Sequence, residues 1–320
     1  MLLLKSILPA LTILAAIFPA IGTQFVFALD NTKYCNAVQN KVGLIRYPLG
    51  TIGISSTDSD EITNVMTLVP RVYPCLDSVV VRSRRDDWRD SISGDPSMLT
   101  VKYRADKPSG VTTAAITVTP HVSVFKVAFP EGAQNKYLVF DFSKYGVDDW
   151  AELYKWTQRT VTRIDNRTIQ ATIGKPGKVG AYYTIKFSKP CTGSGTFNAT
   201  GAVTDGAGSV TGTKVGMYAR FDASTVTVAI AQSFTSMDEA KEFLASEYTD
   251  FNTAQQSCRQ AWNRILNRIE IEGSENSKRM AYTSLYTMYA NIIDGSKGSC
   301  YSKYYPRPRS LSSSAYWWKG

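Results

Sequence analysis

Carboxylates, a single histidine, five cysteines and a set of aromatic rings are the side chains here whose types could do chemistry. The visible acid pairs are Asp86-Asp87, Asp148-Asp149, and Glu270 with Glu272. Two carboxyls flanking one bond can act as general acid and general base. Adjacent residues of a strand point to opposite faces, so Asp86-Asp87 and Asp148-Asp149 are poorly placed to flank a bond. Glu270 and Glu272 share a face if the chain is extended there, yet both project from one edge. All three pairs read as solvated surface. His121 follows Pro120 between two strand-like runs and has no recognisable partner. A serine triad would have to use it, and no GxSxG elbow accompanies it.

The cysteines are Cys35, Cys75, Cys191, Cys258 and Cys300, without CxxC or Cys/His spacing, which argues against structural zinc. Cys35 and Cys75 form a plausible disulfide if the compartment is oxidising. Flat aromatic faces pack against the C–H faces of sugars, and exposed Trp and Tyr mark such sites. Trp88 in a polar loop is one candidate for carbohydrate contact; Trp317 and Trp318, in the run Tyr316-Trp317-Trp318, are others. Trp150, Trp156 and Trp262 read as core.

These groups need a scaffold, and its outline begins with an apolar leader. Lys5 precedes an apolar run from Ile7 to Ile21, and no acid occurs before Asp30. Pro9 and Pro19 break the run, and Val26-Phe27-Ala28 offers small residues at the cleavage positions. The expectation is a signal peptide over 1–28, export, and no stable membrane span after cleavage. The net charge is +9, with both signs spread along the chain. Only Arg82-Ser83-Arg84-Arg85 is dense, and Asp86-Asp87 follows at once, so a nucleic-acid partner is not expected. Asn166-Arg167-Thr168 and Asn198-Ala199-Thr200 are glycosylation sequons.

From about Val42 to Phe234 the chain alternates apolar and polar residues in short runs separated by turn residues. Ala115–Thr119 and Val122–Phe129 flank Pro120-His121. Thr160–Ile164 and Thr168–Ile173 flank Asp165-Asn166-Arg167, and further runs cover Val179–Phe187, Val215–Phe221 and Val226–Phe234. Such spacing predicts an antiparallel β-sandwich over 29–235. Gly193-Ser194-Gly195 and Asp205–Gly212 read as turns. At Ser236 the period changes. Ser236-Met237-Asp238-Glu239 has the spacing of a capping box, and Glu247 closes the helix it starts. A second helix is predicted from about Thr253 to Ile269 on the stripe Ala254, Cys258, Ala261, Trp262, Ile265, Leu266. A third spans Glu275 to Ile293, with Met280, Leu285, Met288, Tyr289 and Ile292 buried.

The stretch Phe234 to Tyr286 resembles the junction region of glycoside hydrolase family 92, the exo-acting α-mannosidases. The shared elements are Phe234, Ala240, Phe243 and Glu247, then Trp262 and Leu266, then Ile269-Glu270-Ile271-Glu272-Gly273. Tyr282-Thr283-Ser284-Leu285-Tyr286 is similar to the family's Tyr-Thr-Ala-Leu-Tyr run. Upstream, Ala115–Thr119, Phe129-Pro130 and Leu138–Asp141 resemble its sandwich. The glycine- and histidine-rich N-terminal segment usual in the family has no counterpart here.

The resemblance implies a galactose-mutarotase-like supersandwich. Linker helices over 236–320 would then begin a truncated (α/α)6 barrel. It implies inverting, calcium-dependent hydrolysis of terminal α-mannosides in the complete enzyme, with mannose-containing glycans as partners. It places the acid, the base and the calcium ligands downstream of the Tyr282–Tyr286 run. This chain is therefore expected to carry no catalytic residue, metal ligand or cofactor of its own, and to be a fragment that is inactive alone. Glu247, Trp262, Tyr282 and Tyr286 are expected at the interdomain seam. The rival reading is a stand-alone exported carbohydrate-binding or adhesive sandwich built around Trp88.

Overall fold

The computed structural model describes residues 33–38, 44–48, 53–55, 70–80, 89–103, 110–142, 158–175 and 178–290. A short helix, α1 (Lys33–Ala37), is followed by the hairpin-like pair β1 (Leu44–Arg46) and β2 (Gly53–Ser55). Next come β3 (Arg71–Leu76), β4 (Arg89–Asp95), β5 (Met98–Tyr103), β6 (Thr112–Val118), β7 (Val122–Ala128) and β8 (Lys136–Asp141). After these run β9 (Gln158–Arg163), β10 (Thr168–Lys175), β11 (Lys178–Phe187), β12 (Gly193–Phe197), β13 (Val203–Asp205) and β14 (Ser209–Gly212). The last strands are β15 (Gly216–Phe221) and β16 (Thr225–Ser233), and α2 (Met237–Glu247), α3 (Phe251–Leu266) and α4 (Glu275–Ala290) close the described chain.

The strands form an antiparallel sandwich. The larger sheet has the order β14-β9-β10-β11-β16-β7-β6-β5-β4, and the smaller has the order β13-β12-β15-β8-β3. Alternation drives each strand to one register, because a slip by one residue would turn every apolar side chain to water. In β10, Ile169, Ala171 and Ile173 point inward and are buried. Phe140 of the smaller sheet lies 5.5 Å from Phe187 of the larger, and Phe187 meets Phe221 edge-on at 5.3 Å, so aromatic rings bridge the layers.

Two segments that read as turns are strands. Gly193–Phe197 pairs with β13 and β15, and Ser209–Gly212 pairs with the edge of the larger sheet. Their glycines conceal the alternation. At Gly195 a Cβ would collide with the Thr204 carbonyl and the Tyr218 ring, so the glycine is there for close approach.

The helices pack on the outer face of the larger sheet and then run into the main core. Val122, Val124, Ala229 and Ala231 face outward and are covered by Leu244, Phe251 and Ala254. Further along α3, Cys258, Trp262 and Leu266 join the same cluster as the sandwich interior. Toward the β14 edge the polar groups of neighbouring strands bond one another. There Thr160 bonds Thr211 at 3.0 Å and Thr162 bonds Ser209 at 2.9 Å.

The capping box at Ser236 is half of what its spacing predicts. Ser236 Oγ accepts from Glu239 N–H at 3.1 Å, but the Glu239 carboxylate turns to Ser233 Oγ instead of to the Ser236 amide. Ser233 Oγ takes over that amide, at 3.2 Å. The buried face of α4 also differs from expectation. It is Tyr282, Tyr286 and Ala290, while Met280 is 75% and Met288 50% exposed. The tyrosines sit at i, i+4 spacing and carry enough apolar surface to decide the orientation.

One charge pair is wholly inside. Arg71 and Asp141 stand opposite each other on β3 and β8, bonded at 2.8 Å, with both side chains fully buried. The guanidinium also lies 4.8 Å from the Tyr73 ring centroid. Removing one partner strands the other charge in the core. Asp141→Ala is therefore expected to lower stability by about 3–5 kcal/mol, read from urea unfolding. A loss under about 1 kcal/mol would show that the guanidinium finds other partners.

Candidate functional site

The seam between sandwich and helices holds Glu247, Trp262, Tyr282 and Tyr286, together with His121. Glu247, the last residue of α2, reaches the turn between β6 and β7. Its Oε2 accepts from Thr119 Oγ1 at 2.6 Å and from the His121 amide at 2.8 Å, and its Oε1 lies 2.5 Å from His121 Nδ1. The imidazole stacks on Phe243, one helical turn back, with centroids 3.9 Å apart and planes within 8°. A carboxylate against Nδ1 calls for the proton on that nitrogen. The arrangement therefore fixes the tautomer and the ring plane. His121 lacked any recognisable partner in the sequence, because the partner lies 126 residues away.

Asp250 caps the next helix. Its carboxylate accepts from Thr253 Oγ1 at 2.6 Å and from the Asn252 and Thr253 amides at 2.8 and 3.1 Å. Those bonds, led by the Thr253 side chain, hold the carboxyl below the usual carboxylate range. Farther along α3, Arg259 Nη1 donates to Asp95 Oδ2 at 3.3 Å. Asp95 Oδ1 meanwhile accepts from the Ser97 amide and hydroxyl at 2.7 Å, which fixes the two-residue turn between β4 and β5.

Trp262 is fully buried, and its Nε1–H donates to the Arg46 carbonyl at 2.7 Å. Tyr286 meets its ring edge-on at 4.6 Å. Tyr282 donates its hydroxyl to the Ile269 carbonyl at 3.0 Å and meets Tyr34 edge-on at 5.5 Å. Trp262, Tyr282 and Tyr286 thus tie the two helices to each other and to the start of the described chain.

Beside Tyr34 and Tyr282 lies a cleft of about 320 Å³, lined by Ala37, Glu270, Ile271, Glu272, Gly273, Glu275 and Lys278 besides the two tyrosines. Glu270 and Glu272 both line this cleft, with Ile271 between them, and Lys278 pairs with Glu275 at 3.1 Å. The carboxylates can accept hydroxyl hydrogen bonds. Among the described residues, no three His, Cys, Asp or Glu are grouped as they would be to hold a metal ion.

Cys35 and Cys75, the pair expected to form a disulfide, are not bonded to each other in this structure and occupy different surroundings. Cys35 Sγ lies 3.7 Å from the Arg259 carbonyl on α3, and Cys75 Sγ lies 3.6 Å from the Val80 carbonyl beside β3. Cys258, the neighbour of Arg259, is buried too, with Sγ 3.7 Å from the Pro96 carbonyl. Burial pushes the Cys35 thiol up to about 12 and raises Cys258 as well. Asn166 and Asn198 both sit in exposed turns, and Asn198 Oδ1 accepts from the Thr200 hydroxyl at 2.7 Å. Trp88, Trp317 and Trp318, the aromatic candidates, lie outside the described residues, as do Trp150 and Trp156.

The fold is thus an antiparallel sandwich with linker helices locked into its core. The sequence matches the glycosyl hydrolase family 92 N-terminal domain over residues 55–233 and the family's catalytic domain over residues 239–318. The chain belongs to glycosyl hydrolase family 92. Its fold is similar to that of the family GH92 inverting mannosidase BT2199 from Bacteroides thetaiotaomicron VPI-5482. The identity is 18% and the TM-score 0.61, over 82% of this chain and 40% of that one. It is likewise similar to the family GH92 α-mannosidase BT3965 from Bacteroides thetaiotaomicron, at 18% identity and TM-score 0.62, over 82% and 41%. The family hydrolase ccman5 gives 19% identity and TM-score 0.61, over 82% and 42%. The chain thus spans about two fifths of the length of these structures. No curated protein matches it.

Two outcomes test the seam. Glu247→Ala leaves the Thr119 hydroxyl and the His121 N–H groups without their acceptor, at a cost of about 1–3 kcal/mol. Glu247→Gln keeps one acceptor and should cost less, and equal urea midpoints for the two variants would contradict this account. For the thiols, Cys35 and Cys258 should resist alkylation of the native protein at mildly alkaline pH and react fully in denaturant. Rapid native labelling of either, mapped by mass spectrometry, would show that the seam opens.

Proposed function

We propose that this chain supplies the sandwich and first barrel helices of an exported, inverting, calcium-dependent exo-α-mannosidase acting on mannose-containing glycans. The observation that carries this reading is the pair of family matches, to the N-terminal and catalytic domains, laid on one continuous core. The solved neighbours are named as mannosidases, one of them as inverting. The apolar run from Ile7 to Ile21, with a cleavage site at Ala28, supports export.

An inverting reaction needs a carboxylic acid on the leaving oxygen and a carboxylate that activates water from the opposite face, roughly 6.5–9.5 Å apart. In this reading both groups, and the oxygen ligands of calcium, belong to barrel segments other than the described helices. The share of this chain is to build the wall that the barrel closes against. Glu247 and His121 hold α2 to the sandwich, and Trp262 and Tyr286 hold α3 and α4 together. They act by position, and none of them is assigned a proton transfer.

By this reading, the purified 29–320 chain does not release the aryl group from an aryl α-mannoside, with or without calcium. A rate above buffer that Glu270→Gln or Glu272→Gln abolishes would overturn that division of labour and move the chemistry into the cleft beside Tyr282.

A further inference from the structure

We propose that residues 33–38 and 44–48 form a clasp: a built-in peptide ligand that docks on α3 and α4 and fixes where the first helices of the catalytic region stand on the sandwich. The proposal rests on contacts within the chain and is independent of any hydrolytic activity. This segment falls outside both family matches, which begin at residues 55 and 239.

Its elements are too short to hold themselves. A five-residue helix and a three-residue strand gain little from local hydrogen bonding, so tertiary contacts must fix them. Those contacts are specific and run to the helices. The Cys35 amide donates to Asn263 Oδ1 at 3.1 Å, and Asn36 Oδ1 accepts from Arg259. Cys35, Val38 and Ile45 are buried in the main cluster together with Trp262, Tyr282 and Tyr286.

Arg46 is the centre of the clasp. Its guanidinium donates to the Ala290 carbonyl of α4 at 2.8 Å, and its own carbonyl accepts the Trp262 indole N–H of α3 at 2.7 Å. One residue therefore joins both helices, and it does so 3% exposed. A guanidinium set against a backbone carbonyl makes a charge-assisted hydrogen bond. Away from water that placement is specific, because the charge has few other arrangements available.

Among the described elements, the main neighbours of α4 are α1, α3 and β1, not the strands of the two large sheets. Two of those three belong to the clasp. Without the clasp, α4 would be held chiefly through α3. The clasp thus governs one helix selectively, and a general stabiliser would not.

Hydrogen–deuterium exchange on the full chain tests this. Arg46→Ala should speed exchange of the α4 amides at least tenfold while β9, β10 and β11 keep their protection. Arg46→Lys, which restores a cation with a donor, should recover part of the loss. Trp262→Phe keeps an aromatic ring, though a smaller one, removes the N–H and should loosen the same helix. It also serves as the test if Arg46→Ala fails to fold. In the loosened variants Cys35 should become open to native alkylation. Unchanged α4 exchange in Arg46→Ala, or in Trp262→Phe where the former cannot be purified, would overturn the proposal. So would equal losses in α4 and β9–β11, which would make these residues generic contributors to stability.

Discussion

Trp262 imposes the constraint on which the arrangement of this chain depends. An indole is too large to bury without several elements around it, and its N–H cannot be buried without an acceptor. The acceptor is the Arg46 carbonyl, 216 residues earlier in the chain. Burying one helical side chain therefore requires the start of the described chain to come back to the seam. The same helix begins on the outer face of the larger sheet, at Phe251 and Ala254, and ends in the main core, at Trp262 and Leu266. The helical region is thus built into the hydrophobic core of the sandwich and is not an appendage to it.

What was legible in the sequence follows from which forces are local. The hairpin over Asp165–Arg167 and the long strand ending at Phe187 show in the alternation, because each strand must bury one face. The onset of α2 shows in Ser236, because a cap is a contact between near neighbours. Gly193–Phe197 was hidden because glycine marks both turns and close-packed strands, and only the Tyr218 ring above it decides which. The buried face of α4 is not the one that Met and Leu mark, because Tyr282 and Tyr286 bury their rings there and Tyr282 keeps a partner for its hydroxyl.

The candidate site was less legible than the fold. Glu247 stood out only through the resemblance. Nothing local to it announces Thr119 or His121, which β6 and β7 deliver from the far side of the sheet. Arg46 carried no signal, since a lone arginine within the apolar run 44–49 names no partner. The surroundings of the cysteines were hidden for a related reason. Counting and spacing say which thiols exist, while the packing of α1 on α3 puts Cys35 beside Arg259, and Cys75 lies on β3 near Val80.

The contacts along the seam also bear on how identity near 18% can coexist with a shared fold. Sandwich packing tolerates volume-conserving exchange, so most inward positions can drift together. The seam works differently, because each tie there is a polar contact with a defined partner. Glu247 meets the turn at 119–121, Arg259 meets Asp95, and Arg46 meets Ala290. Arg259 also contacts Asn36, so the Asp95 turn and the N-terminal segment bear on one side chain. Ties that share a helix do not act independently, since loosening one changes the geometry available to the next. Such a seam fixes the direction in which α4 leaves the sandwich. That direction is what a helical domain continuing from α4 inherits, whatever residues its own chemistry uses.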